Sequence, residues 1–147
     1  MDDDDVALRN LTYRMFVDLG RAPSLLEVAT MSKMDVSASA AGWQRLHDGH
    51  AIVLHSGTSE LRMVNPFAAE PTAYRVQAAG RSWFANCAWD AFGICAALDV
   101  DGRIETICAD CGTEITVEVR DRHPDDKSLM FHCLVPAQQW WDDIVFS

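Results

Sequence analysis

Apolar residues recur every three or four positions through residues 6–19, VALRNLTYRMFVDL, where Leu8, Leu11, Met15 and Leu19 fall on one face. That period commits the start of the chain to an amphipathic helix, because only a 3.6-residue turn brings those side chains together. Gly20 follows as a stop. Ser24, with Glu27 three residues on, is a capping box that opens a second helix. Asp35 can cap a third through VSASAAGWQRLHDG. The period then changes: HAIVLHSGTSELRMV holds two short β runs around Ser56-Gly57-Thr58, a hairpin signal.

Three helices and a hairpin over residues 6–64 predict a winged-helix-like domain. Such a domain often binds DNA, but the third helix carries only Arg45 as a basic residue, between Asp35 and Asp48. A formal charge of −10 also speaks against nucleic acid, whose phosphates demand clustered Lys and Arg. Part of that charge is the run Asp2–Asp5, so residues 1–5 are expected to be an acidic, disordered tail. Residues 65–81, punctuated by Pro66 and Pro71, read as a linker. A second domain is expected over residues 82–147. It should hold a helix from Ser82 to about Leu98, then strands RIETICAD and TEITVEVRD joined by the turn CADCGT. KSLMFHCLVP reads as one more apolar strand. Trp140 and Trp141, with Asp142 and Asp143, suit a terminal segment that packs its indoles on the domain. The fold class is therefore α+β: three helices, then a helix packed on a small, mainly antiparallel sheet.

All five cysteines, Cys87, Cys95, Cys108, Cys111 and Cys133, lie in that second domain. The acidic start lacks a basic, then apolar, export leader, and no apolar run is long enough to span a bilayer. A cytoplasmic protein without membrane partners is expected, and its thiols should be free, metal-bound or catalytic rather than paired as disulfides. Cys87 and Asp90 sit three apart, one turn of helix, so they share a face. Helix N–H groups and dipole would favour a Cys87 thiolate, and apolar flanks would raise the Asp90 pKa towards that of a proton donor. A buried free cysteine beside a surface acid is the plainer alternative. Cys108 and Cys111 form a C-x-x-C pair open to zinc, redox exchange or a turn with incidental thiols. Zinc wants four ligands, and only Cys133 or His132 could extend the pair. His47, His50 and His55 fit no familiar metal spacing and read as exposed or capping residues.

WFANCAWD followed by CADCGTEITVEV resembles the organomercurial (alkylmercury) lyase family, most specifically over residues 83–120. The resemblance implies a winged-helix-like domain followed by a catalytic domain of helix and small sheet, and no cofactor. It implies that Cys87 holds mercury as a thiolate while Asp90 relays a proton to the leaving carbon. Cys108, twenty-one residues after Cys87, takes the place of the family's structural thiol. FHCLVP resembles the next apolar strand, where the position of Cys133 is usually not catalytic. The partners implied are a small organomercurial or mercuric ion and external low-molecular-weight thiols that carry the product away. One departure stands out: the family's second active-site cysteine would fall at or just beyond Ser147. Open readings are an active lyase in which Cys133 or Cys111 is the partner thiol, and a truncated or inactive homologue. The latter would act as a soft-metal-binding or winged-helix regulatory protein.

Overall fold

The computed structural model describes residues 2–133 and 135–144. Three helices come first: α1 (Asp3–Leu19), α2 (Leu25–Ser32) and α3 (Val36–Asp48). The acidic run is not a disordered tail. Asp2 caps α1 by accepting from the Asp5 amide at 2.8 Å, and Asp3, Asp4 and Asp5 form the first turn, where the helix dipole favours anions. Asp5 is buried and takes a two-pronged ion pair from Arg45 of α3, at 3.0 Å from Nε and 2.7 Å from Nη2. The guanidinium holds the Asp5 carboxyl below the usual carboxylate range. The one basic side chain of α3 noted above is thereby tied to a buried carboxylate while staying exposed itself. Ser24 and Glu27 form the expected capping box of α2, and Glu27 also pairs with Arg21. Its carboxyl is lowered to about 2, mainly by that hydrogen bond from Arg21.

The strands among the described residues form one antiparallel sheet of eight, in the order β1-β2-β3-β5-β4-β6-β7-β8. They are β1 (Val53–Leu54), β2 (Leu61–Val64), β3 (Phe67–Ala68), β4 (Tyr74–Ala78), β5 (Arg81–Ala85), β6 (Gly102–Ile107), β7 (Glu114–Arg120) and β8 (His123–Pro124). Three expectations change here. Residues 65–81 are no linker, since β3 and β4 lie within them and carry the sheet from the hairpin into the second half. Residues 81–85 form a strand instead of the helix start, because Trp83 and Ala85 alternate into the core while Arg81 stays exposed. Residues 127–133 form no strand; the last pairing is the short β8, and Leu129, Met130 and Phe131 stay exposed.

One apolar core runs through both halves. Phe16 of α1 stacks on Phe67 at 5.2 Å between centroids, and Phe67 meets Trp83 edge-on at 6.0 Å. α1 and α3 approach closely at Gly42, where a Cβ would collide with Leu8. Trp43 is fully buried and donates its indole N–H to the Thr12 hydroxyl at 3.0 Å, which in turn donates to the Leu8 carbonyl. Trp43→Ala should cost about 3–5 kcal/mol, because it opens a cavity and leaves the buried Thr12 short of a donor. Chemical denaturation checks this as a lowered midpoint at unchanged slope.

Helix α4 (Ala88–Leu98) covers the sheet against β4, β5 and β6 through Ala91, Ile94 and Cys95. The Cys95 thiol is a small core hydrophobe: a Cβ at Gly102 would stand 2.7 Å from its sulfur. A 3-10 helix at Ala137–Asp142 follows; its Trp141 stacks on His50, beyond α3, at 4.3 Å while staying exposed, and Trp140 donates to the Val135 carbonyl at 2.8 Å. Among the described residues no helix is long and apolar enough to cross a membrane.

Candidate functional site

The chemistry-bearing residues gather where β5 gives way to α4. Because the helix begins at Ala88, Cys87 is its N-cap residue and lies one turn closer to the N-terminus than the sequence suggests. Its backbone is extended and its carbonyl accepts the first helical bond, from Ala91 at 3.0 Å. The side chain makes no capping bond, so the sulfur is free to face a ligand.

Asp90 lies in the first turn and faces the same way. Both groups are withdrawn from water, and burial pushes both the Cys87 thiol and the Asp90 carboxyl above their usual values. Two forces oppose burial at each. The backbone amides of Asp90 and Trp89 favour the Cys87 thiolate, whereas the hydrogen bond from Asn86 and the neighbouring Cys87 thiol favour the Asp90 carboxylate. The expectation of a raised Asp90 pKa is met. That of a depressed Cys87 pKa is not, because desolvation outweighs the helix N-terminus.

Asn86 was not singled out by sequence reasoning. Its side-chain amide donates to Asp90 Oδ2 at 3.0 Å and to Asn65 Oδ1 at 3.2 Å. The phenol of Tyr13 on α1 donates to the Asn65 carbonyl at 3.0 Å. Asp90 is thus anchored through Asn86 and Asn65 to the first helix. The available signal was a lone amide beside the cysteine in SWFANCAWD; nothing comparable marked Asn65 or Tyr13.

Cys133 is exposed and donates to the Val135 carbonyl at 2.9 Å. Two residues before it, Phe131 meets Trp89 of α4 at 6.3 Å between ring centroids, which sets this segment beside the start of the helix. Cys108 and Cys111 sit instead in the β6–β7 turn. A mostly apolar cavity of about 970 Å³ reaches from Ala88 and Phe92 on α4 to Cys108, with Leu129, Met130 and Phe131 along its wall. No set of three or more Cys, His, Asp or Glu able to hold a metal ion occurs among the described residues, so the zinc reading of Cys108 and Cys111 has no further ligands there. His47 accepts from the Leu54 amide and His55 faces Glu70, in keeping with structural roles.

No curated protein matches the chain. A solved structure described as the mercury-bound form of MerB2 superposes with a TM-score of 0.68 at 21% identity, over 86% of this chain and 60% of the other. The chain therefore spans less than two thirds of that protein, and at this identity the likeness concerns the fold. A model of the alkylmercury lyase (MerB) family matches residues 67–146, more than half of the chain and the whole of the Cys87–Asp90 site. On the strength of that match, this chain belongs to the alkylmercury lyase family.

Proposed function

We propose that the chain binds organomercurials through Cys87 and cleaves the carbon–mercury bond with Asp90 as proton carrier. The observation that carries this reading is a half-buried thiol and a carboxyl of raised pKa set three residues apart at one helix start. Mercury bound to carbon is soft and seeks sulfur, so the Cys87 sulfur displaces the thiolate on an incoming R–Hg–SR′. The Cys87 proton passes to Asp90, and R′S⁻ leaves to solvent. Asp90, now protonated and held by Asn86, delivers that proton to carbon. The carbon keeps the electron pair of the broken bond and departs as R–H, while mercury stays on Cys87 and Asp90 is again a carboxylate. Burial of Asp90 helps it hold the proton until delivery, since it favours the neutral carboxyl.

The apolar cavity beside Ala88 and Phe92 suits the organic group R. Cys133 is the second thiolate in this reading, and external low-molecular-weight thiols remove the mercuric product. Five free thiols suit a reducing, cytoplasmic setting. The helices of residues 3–48, with the hairpin β1–β2, act as a winged-helix-like scaffold that holds Asp90 through Tyr13 and Asn65.

The test is methane release from methylmercury in excess thiol, read by gas chromatography. Methane is the expected product; stoichiometric mercury binding without methane overturns lyase activity in favour of a soft-metal-binding protein. Cys133→Ser should slow turnover about tenfold or more at low external thiol and recover as thiol is raised. An unchanged rate at low thiol would remove Cys133 from the site.

A further inference from the structure

We propose that Cys108 and Cys111 form a second thiol site, a two-sulfur clamp for a soft, two-coordinate metal ion, with mercuric ion as its cargo. The choice of mercury rests on the lyase reading above; the clamp itself does not. The two cysteines occupy one tight turn between β6 and β7. The Cys108 amide donates to the Thr113 carbonyl at 2.8 Å, and the Gly112 amide closes back on the Cys108 carbonyl at 2.9 Å. Gly112 makes that closure with φ at +70°, a conformation most other residues resist. The fold therefore holds both cysteines in one short, hydrogen-bond-closed loop.

The surroundings favour a thiolate. Cys111 is exposed, its sulfur lies 3.2 Å from the Thr113 hydroxyl, and its pKa is lowered chiefly by that contact. Cys108 is half-buried and faces the cavity that begins at Ala88, next to Cys87 in the chain. In this proposal the cavity, whose lining runs from Ala88 to Cys108, is the route by which mercuric ion released at Cys87 reaches the clamp.

Ligand number selects the metal. The described residues offer no third Cys, His, Asp or Glu to complete a tetrahedral zinc site. A soft d¹⁰ ion that accepts two thiolates needs none. The exchange balances without an oxidant. Hg(SR)₂ passes its mercury to the clamp: two Hg–S bonds to the protein replace the two to RS⁻, and the two protons lost by the protein thiols leave with the displaced thiolates as two RSH. Two sulfurs on one turn act at an effective concentration on the order of mM or higher, so the clamp competes with dilute small thiols where a single cysteine does not.

The test uses inorganic mercuric chloride, so it does not depend on bond cleavage. The Cys87→Ser/Cys133→Ser double variant is loaded with mercury in sub-millimolar glutathione and desalted, and bound mercury is counted per chain. One ion per chain is expected, with two sulfur neighbours by X-ray absorption. Adding the exposed-site change Cys111→Ser should weaken retention at least tenfold while circular dichroism stays unchanged. Lyase turnover of a chain altered only by Cys111→Ser should be unchanged in excess thiol. Retention equal with and without Cys111, or no retention in the double variant, would overturn the clamp and leave the Cys87 reading untouched.

Discussion

The Cys87→Ser variant is expected to release methane from methylmercury at least about 10³-fold more slowly than the unaltered chain, with the fold intact. A serine hydroxyl is a hard oxygen donor that stays protonated at neutral pH, so it neither holds mercury nor supplies a proton to Asp90. The position makes the experiment clean. Residue 87 is the N-cap of α4, and its thiol makes no capping bond. Serine is a favoured cap there and should leave stability equal or raise it by about 0.5–1 kcal/mol. A thermal melt alongside the methane assay separates the two effects. Methane release that survives the change would sink Cys87 as the mercury ligand.

Asp90→Asn should lower the rate about 10²–10⁴-fold, because an amide cannot carry a proton to carbon. Its effect on stability should have the opposite sign. Burial raises the Asp90 pKa above its ordinary value of 3.8, so the folded chain holds this proton more firmly than the unfolded chain. Stability then falls as pH rises from the ordinary carboxylate value through the raised one, and the cost is complete above it. Asparagine carries no charge and escapes that cost. The variant should melt higher than the unaltered chain at pH 7, and the difference should shrink to nothing below the ordinary carboxylate range. A lower melting temperature at pH 7 would mean that Asn86 stabilises the carboxylate by more than burial costs.

The local features were legible because each rests on neighbours in the chain. Ser24 and Glu27 announce their capping box, and Ile115, Val117 and Val119 alternate as a strand does. Cys87 and Asp90 announce a shared face by their spacing alone. Failures came where a partner lies far away in sequence. Asp5 reads as part of a repelling acidic run until Arg45, forty residues on, neutralises it. Residues 65–81 read as a linker because Pro66 and Pro71 mask two short strands, whose partners are β2, β5 and β6. KSLMFHCLVP has the apolar content of a strand, but no sheet edge receives it among the described residues.

By itself the sequence determined the helical first third, the β6–β7 hairpin, the placing of all five thiols after residue 86 and the pairing of Cys87 with Asp90. Those depend on periodicity, turn chemistry and spacing, which act over a few residues. Only the tertiary structure decided that α4 starts at Ala88, that Asn86 and Asn65 tie Asp90 to Tyr13, and that the segment before Cys133 meets α4 at Trp89. It also decided the sign of the Cys87 pKa shift. Desolvation depends on how much protein closes over a sulfur, and residues distant in the chain do that closing.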